Sequence, residues 1–309
     1  MLHLILSASD FESDSDTPHT QYEFTQVNYE EYAKEPGKAI YADKVVYYGH
    51  LNKQNFNPKK VVFMFYGMVE KPEEAFQYHP PADFFKEDVL YVLPQGTHQL
   101  EVWGPFYIPS ILWVRFTLSE LQDLQKNKMD INNPKLIERM QADLISNRRF
   151  LFQLINDVQK GFDIPWENIF LTGYSLGGIQ AYDLFVNHSH LKYAAIISGV
   201  MDLKLQISQK GKTLLSIYSE CDETVPAELS KQSEEQFNKL GGKVISVTNP
   251  LCGHGGTPSI AYRKNSIVWH FFQDSENFDP SLSDNDYGLL QLRRLETSPE
   301  SVAAAASSE

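Results

Sequence analysis

A chain of 309 residues, 42% hydrophobic and 13% aromatic, has the apolar content of a packed globular protein, read here as one domain plus tails. Its formal net charge of −13 repels nucleic acid and strongly anionic membrane surfaces at long range, so neither is an expected partner. The two cysteines, Cys221 and Cys252, form neither a disulfide framework nor a zinc or CxxC pattern, and the expected setting is a reducing, cytoplasmic one.

In chain order, the apolar start Met1–Leu6 is brief, lacks a positive flank and reads as a strand rather than a signal peptide. A Ser/Asp-rich connector follows from Asp10 to Thr20. Tyr22 to Tyr29 and Ala39 to Tyr48, rich in Tyr, Val and Phe, are predicted strands of an antiparallel start, separated by the turn signal Glu35-Pro36-Gly37-Lys38. Lys60–Gly67 and Val89–Pro94 are continuous apolar runs, the mark of strands buried on both faces. Four more predicted strands begin at Ile169, Ala194, Thr213 and Lys243.

Helical stretches alternate with these strands. Thr117 and Glu120 pair as a capping box ahead of a short helix. Asn133 followed by Pro134 marks the start of a long one, whose apolar stripe runs through Ile137, Met140, Leu144, Leu151, Ile155 and Val158. Ile179–Val186, Ala227–Leu240 and Ser259–Phe272 supply further helices. Alternation of strand and helix predicts an α/β fold with a mostly parallel central sheet covered on both faces. The domain is expected over residues 1–273, with a helical insertion near 110–146. From Asp274 the chain carries eight acidic residues against two arginines, which reads as a loosely docked tail over 274–309. Its acidic, small-residue end is similar in composition to the export signals read by bacterial type IV secretion systems. No run is long and apolar enough to cross a bilayer.

The chemistry concentrates at Gly173-Tyr174-Ser175-Leu176-Gly177, a G-x-S-x-G pattern between a predicted strand and a predicted helix. A serine there sits on a strained turn that lifts its hydroxyl above the sheet, and the flanking glycines avoid clashes with neighbouring backbone. Serine needs a base, and the base needs a third group to fix its tautomer. With this elbow the chain order is Ser, then Asp or Glu, then His. Of the two late histidines, His254 lies in the Gly-rich segment Cys252-Gly253-His254-Gly255-Gly256, whereas His270 lies inside an apolar helix. His254 is therefore the candidate base. Asp222, in the loop after the strand from Thr213, is the candidate acid, with Asp202 as the alternative; Glu220 and Glu223 read as solvated loop charges.

These residues resemble the acyl-protein thioesterase, lysophospholipase and carboxylesterase group of α/β-hydrolases. Asp163-Ile164-Pro165-Trp166 leads into Gly173-Tyr174-Ser175-Leu176-Gly177-Gly178 as in that group, and Ser219-Glu220-Cys221-Asp222-Glu223-Thr224-Val225-Pro226 matches its acid-bearing element. Two departures stand out: Tyr66-Gly67 where the family carries His-Gly, and Ser219 in place of a Gly. The resemblance implies an α/β-hydrolase fold and a Ser175–His254–Asp222 triad without cofactor. It also implies oxyanion donors at the backbone N–H groups of Met68 and Leu176, and an acyl-binding wall near Ile111 and Trp113.

The segment Pro109–Phe116 fits a pocket border and a buried connection equally well. Together with Trp103–Tyr107 it hints at a hydrophobic acyl group, hence a small-molecule or acylated substrate. The rival from another class is a hydrolase fold that has lost activity and serves as a scaffold. No HExxH pattern occurs, neither cysteine occupies an elbow, and His188 with His190 reads as a polar helix end. The sequence carries no mark of oligomeric state.

Overall fold

The computed structural model describes residues 37–41, 44–49, 57–67, 88–100, 110–116, 120, 123, 133–201, 205–249, 253–262, 266–278 and 291–293. Among the described residues nine strands form one sheet in the order β1-β2-β4-β3-β7-β8-β9-β10-β11, and β5 and β6 form a separate pair. Six of the nine, β3 (Lys60–Phe65), β4 (Val89–Pro94), β7 (Ile169–Tyr174), β8 (Tyr193–Ile197), β9 (Thr213–Ser219) and β10 (Lys243–Asn249), run parallel. This is the α/β-hydrolase fold, with the expected mostly parallel sheet. Every residue of β4 and β7 is buried, so both sheet faces are covered, which explains why their sequences are apolar without alternation.

The antiparallel start is present in altered form. Ala39–Tyr48, expected as one strand, divides into β1 (Gly37–Tyr41) and β2 (Lys44–Gly49), a hairpin in which Tyr41 faces Lys44. Gly37 and Lys38, read as turn residues, lie in β1. β2 then docks antiparallel on β4. Both halves of that run are β-formers, so composition alone does not mark the reversal between them. Tyr22–Tyr29 lies outside the described residues.

The long helix α1 (Pro134–Phe162) starts where Asn133 and Pro134 place it. The Asn133 carboxamide oxygen accepts the Lys135 N–H at 3.0 Å. It runs unbroken past residue 146, so the expected end of an insertion falls in the middle of a helix. Its buried stripe is Leu136, Leu144, Leu151, Leu154, Ile155 and Val158, whereas Ile137 is exposed. The stripe thus lies one residue to the side of the expected one at the first turn. Glu120, expected in a capping box, pairs with Arg139 of α1; Thr117 lies outside the described residues.

Helix α2 (Leu176–Asn187) packs on β7, β8 and β3, and α3 (Ala227–Lys239) on β9 and β10. The helix expected over Ser259–Phe272 is two, α4 (Thr257–Ala261) and α5 (Ile267–Gln273). The Ser266 hydroxyl accepts the Trp269 N–H and caps α5 afresh. Within the segment expected as a tail, β11 (Gln291–Arg293) pairs antiparallel with β10, so part of that segment belongs to the sheet. β5 (His98–Leu100) pairs with β6 (Ser110–Leu112), placing Ile111 opposite Gln99. Among the described residues no helix is long and apolar enough to cross a membrane.

Candidate active site

β7 is the middle strand of the nine, and its C-terminal end runs straight into α2 through Ser175. Ser175 has φ 55° and ψ −123°, a conformation that L-residues avoid at a cost of about 1–3 kcal/mol. The turn is held on both sides: the Ser175 N–H donates to Ile197 O at 3.0 Å, and Ser175 O accepts the Ile179 N–H at 2.9 Å. The flanking glycines have a steric reason. A Cβ on Gly177 would run into the carbonyls of Phe65 and Tyr66 at the end of β3, and one on Gly173 into the backbone of Gly177. The helix therefore meets the sheet backbone to backbone, and the serine is pushed outward from that contact.

Parallel strands end on one edge, so loops following different strands converge there. Asp222 follows β9 and His254 follows β10, two and three strands from β7. His254 Nε2 lies 2.9 Å from Ser175 Oγ, and Nδ1 lies 2.9 and 2.8 Å from the two carboxylate oxygens of Asp222. Asp222 Oδ1 also accepts the N–H groups of Thr224 at 2.9 Å and Val225 at 2.7 Å. Burial of this carboxyl pushes its pKa up. The hydrogen bond and charge of His254, with the two backbone amides, outweigh that and hold it below the ordinary carboxylate value. An ionised acid against Nδ1 places the imidazole proton on Nδ1 and leaves Nε2 to accept from the serine hydroxyl.

The other candidate positions fall out unequally. Leu176 is the first residue of α2, where a helix has N–H groups without partners inside the helix. Met68, Asp202 and Cys252 lie outside the described residues. Trp113 is fully buried, and its indole N–H donates to Tyr66 O at 3.1 Å. Its ring packs 5.3 Å from both Phe65 and Tyr66. Of the two expected readings, pocket border and buried connection, the burial of this indole over the strand end fits the second. Ile111 lies in β6, on the segment that leads to Trp113.

Tyr66, which stands where the resembling family has His, is anchored as well: its hydroxyl oxygen accepts the Gly96 N–H at 2.7 Å. Trp113 O in turn accepts from Asn147 of α1, and Asn147 also donates to Gln180 of α2, both at 2.8 Å. A buried polar chain therefore ties the end of β3 to the helix that carries the elbow.

Two residues that sequence reasoning passed over sit against His254. Tyr174 donates its hydroxyl proton to His254 O at 3.1 Å. Glu223, expected as a solvated charge, accepts the His254 N–H at 3.3 Å. Both Glu223 and Glu220 are exposed, as expected, and Glu220 pairs with Lys231 at 3.0 Å. His270 lies in α5 with its ring edge-on to Trp269. His188 caps the end of α2, as expected, but is buried against Trp166, and the exposed His190 stacks on the same ring. Cys221 is exposed. Among the described residues no cluster of three or more His, Cys, Asp or Glu side chains is placed to hold a metal ion.

Known proteins are similar to this chain. Residues 129–273, which include Ser175, Asp222 and His254, match the model of the phospholipase/carboxylesterase family. The carboxylesterase of Bacillus cereus superposes with a TM-score of 0.50 at 16% identity, covering 74% of this chain and 92% of its own. A carboxylesterase from Mesorhizobium loti gives 0.50 at 14%, over 70% and 91%. Esterase PE8 gives 0.50 at 19%, over 66% and 88%. No curated protein sequence matches the chain. The fold is that of the α/β-hydrolases, and the match to the phospholipase/carboxylesterase family spans just under half of the chain.

Proposed function

We propose that the protein is a serine hydrolase that cleaves carboxylic esters or thioesters through an acyl-enzyme, with Ser175 as nucleophile, His254 as base and Asp222 as orienting acid. The observation that carries this reading is the imidazole of His254, hydrogen-bonded at 2.9 Å to Ser175 Oγ on one side and at 2.8 Å to Asp222 on the other. As Ser175 Oγ attacks the substrate carbonyl carbon, its proton passes to His254 Nε2. The tetrahedral oxyanion is taken by the N–H groups of Leu176 and Met68. When the bond to the leaving oxygen or sulfur breaks, His254 returns the proton to that atom. Water, deprotonated by His254 in turn, then releases the acid and restores Ser175. Acyl-thioesterase and lysophospholipase-like substrates fit the same chemistry, because both present an acyl carbonyl with a leaving group that can take a proton.

The test is labelling of the wild type and Ser175→Ala by a fluorophosphonate probe, beside hydrolysis of p-nitrophenyl esters from acetyl to palmitoyl. Labelling and hydrolysis by the wild type alone is the expected result, and the preferred chain length then defines the acyl site. A folded wild type that fails to label would overturn the reading in favour of an inactive scaffold.

A further inference from the structure

His254 sits among Gly253, Gly255 and Gly256, residues with no side chains to pack a loop in place and the largest backbone freedom to lose. Its backbone is nevertheless held on both sides of the residue. The Tyr174 hydroxyl donates to its carbonyl at 3.1 Å, and the Tyr174 ring lies 4.9 Å from the imidazole. Its N–H donates to Glu223 Oε2 at 3.3 Å, and Gly253 passes close enough that a Cβ there would lie 2.7 Å from the same oxygen. Tyr174 precedes Ser175 at the end of β7, and Glu223 follows Asp222 after β9. Each group that binds the imidazole thus has a chain neighbour that binds the backbone of the same histidine.

From this we infer that Tyr174 and Glu223 are positioning residues, a two-sided clamp that sets where His254 Nε2 stands relative to Ser175 Oγ. The inference rests on the triad reading above. The ring is held by hydrogen bonds at its two nitrogens, and those fix its rotation only when the main chain is already in place. A shift of about 1 Å in a base can cost about a hundredfold in rate, so an anchored main chain matters to turnover more than to substrate binding. Tyr174 and Glu223 act through His254, not on the acyl group.

The experiment compares Tyr174→Phe, Glu223→Ala, Glu223→Gln and, as a surface control, Glu220→Ala in the full chain. Steady-state hydrolysis of p-nitrophenyl butyrate and the rate of fluorophosphonate labelling are the readouts, with thermal melts to establish folding. Tyr174→Phe and Glu223→Ala are expected to lower kcat and the labelling rate by about three- to tenfold each, the weight of one hydrogen bond, with KM within about twofold of wild type. Glu223→Gln, whose amide oxygen still accepts the His254 N–H, is expected to recover most of what Glu223→Ala loses, and Glu220→Ala to change neither quantity. Wild-type kcat in both clamp variants, a loss confined to KM, or a Gln variant no better than Ala would overturn the clamp. If Tyr174→Phe does not fold, the Glu223 pair decides alone. Full hydrolysis by Ser175→Ala would instead remove the triad reading, an outcome distinct from any of these.

Discussion

Asp222 accepts three N–H groups on its two oxygens, and they serve different ends. The Thr224 and Val225 amides fix the carboxylate to its own loop, while both oxygens face Nδ1 of His254. Asp222→Asn keeps an oxygen for the amides but can turn an NH2 group toward Nδ1, which favours the tautomer with its proton on Nε2, where the serine hydroxyl has to be received. The expected loss in kcat is on the order of 10³–10⁴-fold, measured on p-nitrophenyl esters, with the melting temperature nearly unchanged. Because the folded pKa of Asp222 is lowered, its contribution to stability is present above the ordinary carboxylate value and is lost as pH falls through the folded value. Glu223, one residue on, was not legible as a partner of His254. Its contact spans 31 residues and a loop carboxylate carries no local sign of such a reach.

At the level of elements, α2 is anchored at both ends by other parts of the chain. Its start rests backbone to backbone on β3. Its end is closed by the buried Lys212, whose ammonium donates to the carbonyls of Phe185 at 2.6 Å, His188 at 3.0 Å and Val186 at 3.4 Å. Gln209 adds a bond to Val186 O at 3.0 Å. These are the carbonyls a helix leaves without internal partners, at the negative end of its dipole. Lys212→Met would leave buried acceptors unsatisfied and should cost about 1–3 kcal/mol, read as a lower urea midpoint at unchanged slope. The activity of the folded fraction should stay at the wild-type level, since Ser175 lies at the other end of the helix.

Across the whole molecule, the buried groups give stability a definite slope with pH. Burial, followed by the charges of His190 and Lys212, lowers His188 to about 3. Its hydrogen bonds agree: Nδ1 accepts the His190 N–H, which leaves Nε2–H to donate to Asn156 Oδ1. A second proton would break the first of these. Between pH 3 and 6.5 the unfolded chain binds the extra proton and the folded chain does not, so stability falls as pH falls through that window. Burial lowers Lys212 to about 7, and by the same reasoning stability rises with pH from 7 to 10.5. Protonation of surface carboxylates relieves the self-repulsion of a chain with net charge −13 and opposes the acid slope. The discriminating measurement is therefore a difference. Melting temperatures taken from pH 7 down to pH 4 should fall less steeply in His188→Gln than in the wild type.

The sequence by itself determined the alternation of strands and helices, the strand–Ser175–helix junction, the start of α1 at Asn133, and which late histidine stands among glycines. Each of these is written in neighbouring residues, through a strand's apolar run, a capping side chain or a glycine demanded by a turn. Only the tertiary structure decided that Ala39–Tyr48 folds back as β1 and β2, that Ser259–Phe272 breaks into two helices, and that Trp113 is a core support under Tyr66. It also decided that Tyr174 and Glu223 meet the backbone of His254 across 80 and 31 residues. Those outcomes depend on which loops the parallel sheet brings to one edge. That is a property of strand order, and residues adjacent in the chain carry no trace of it.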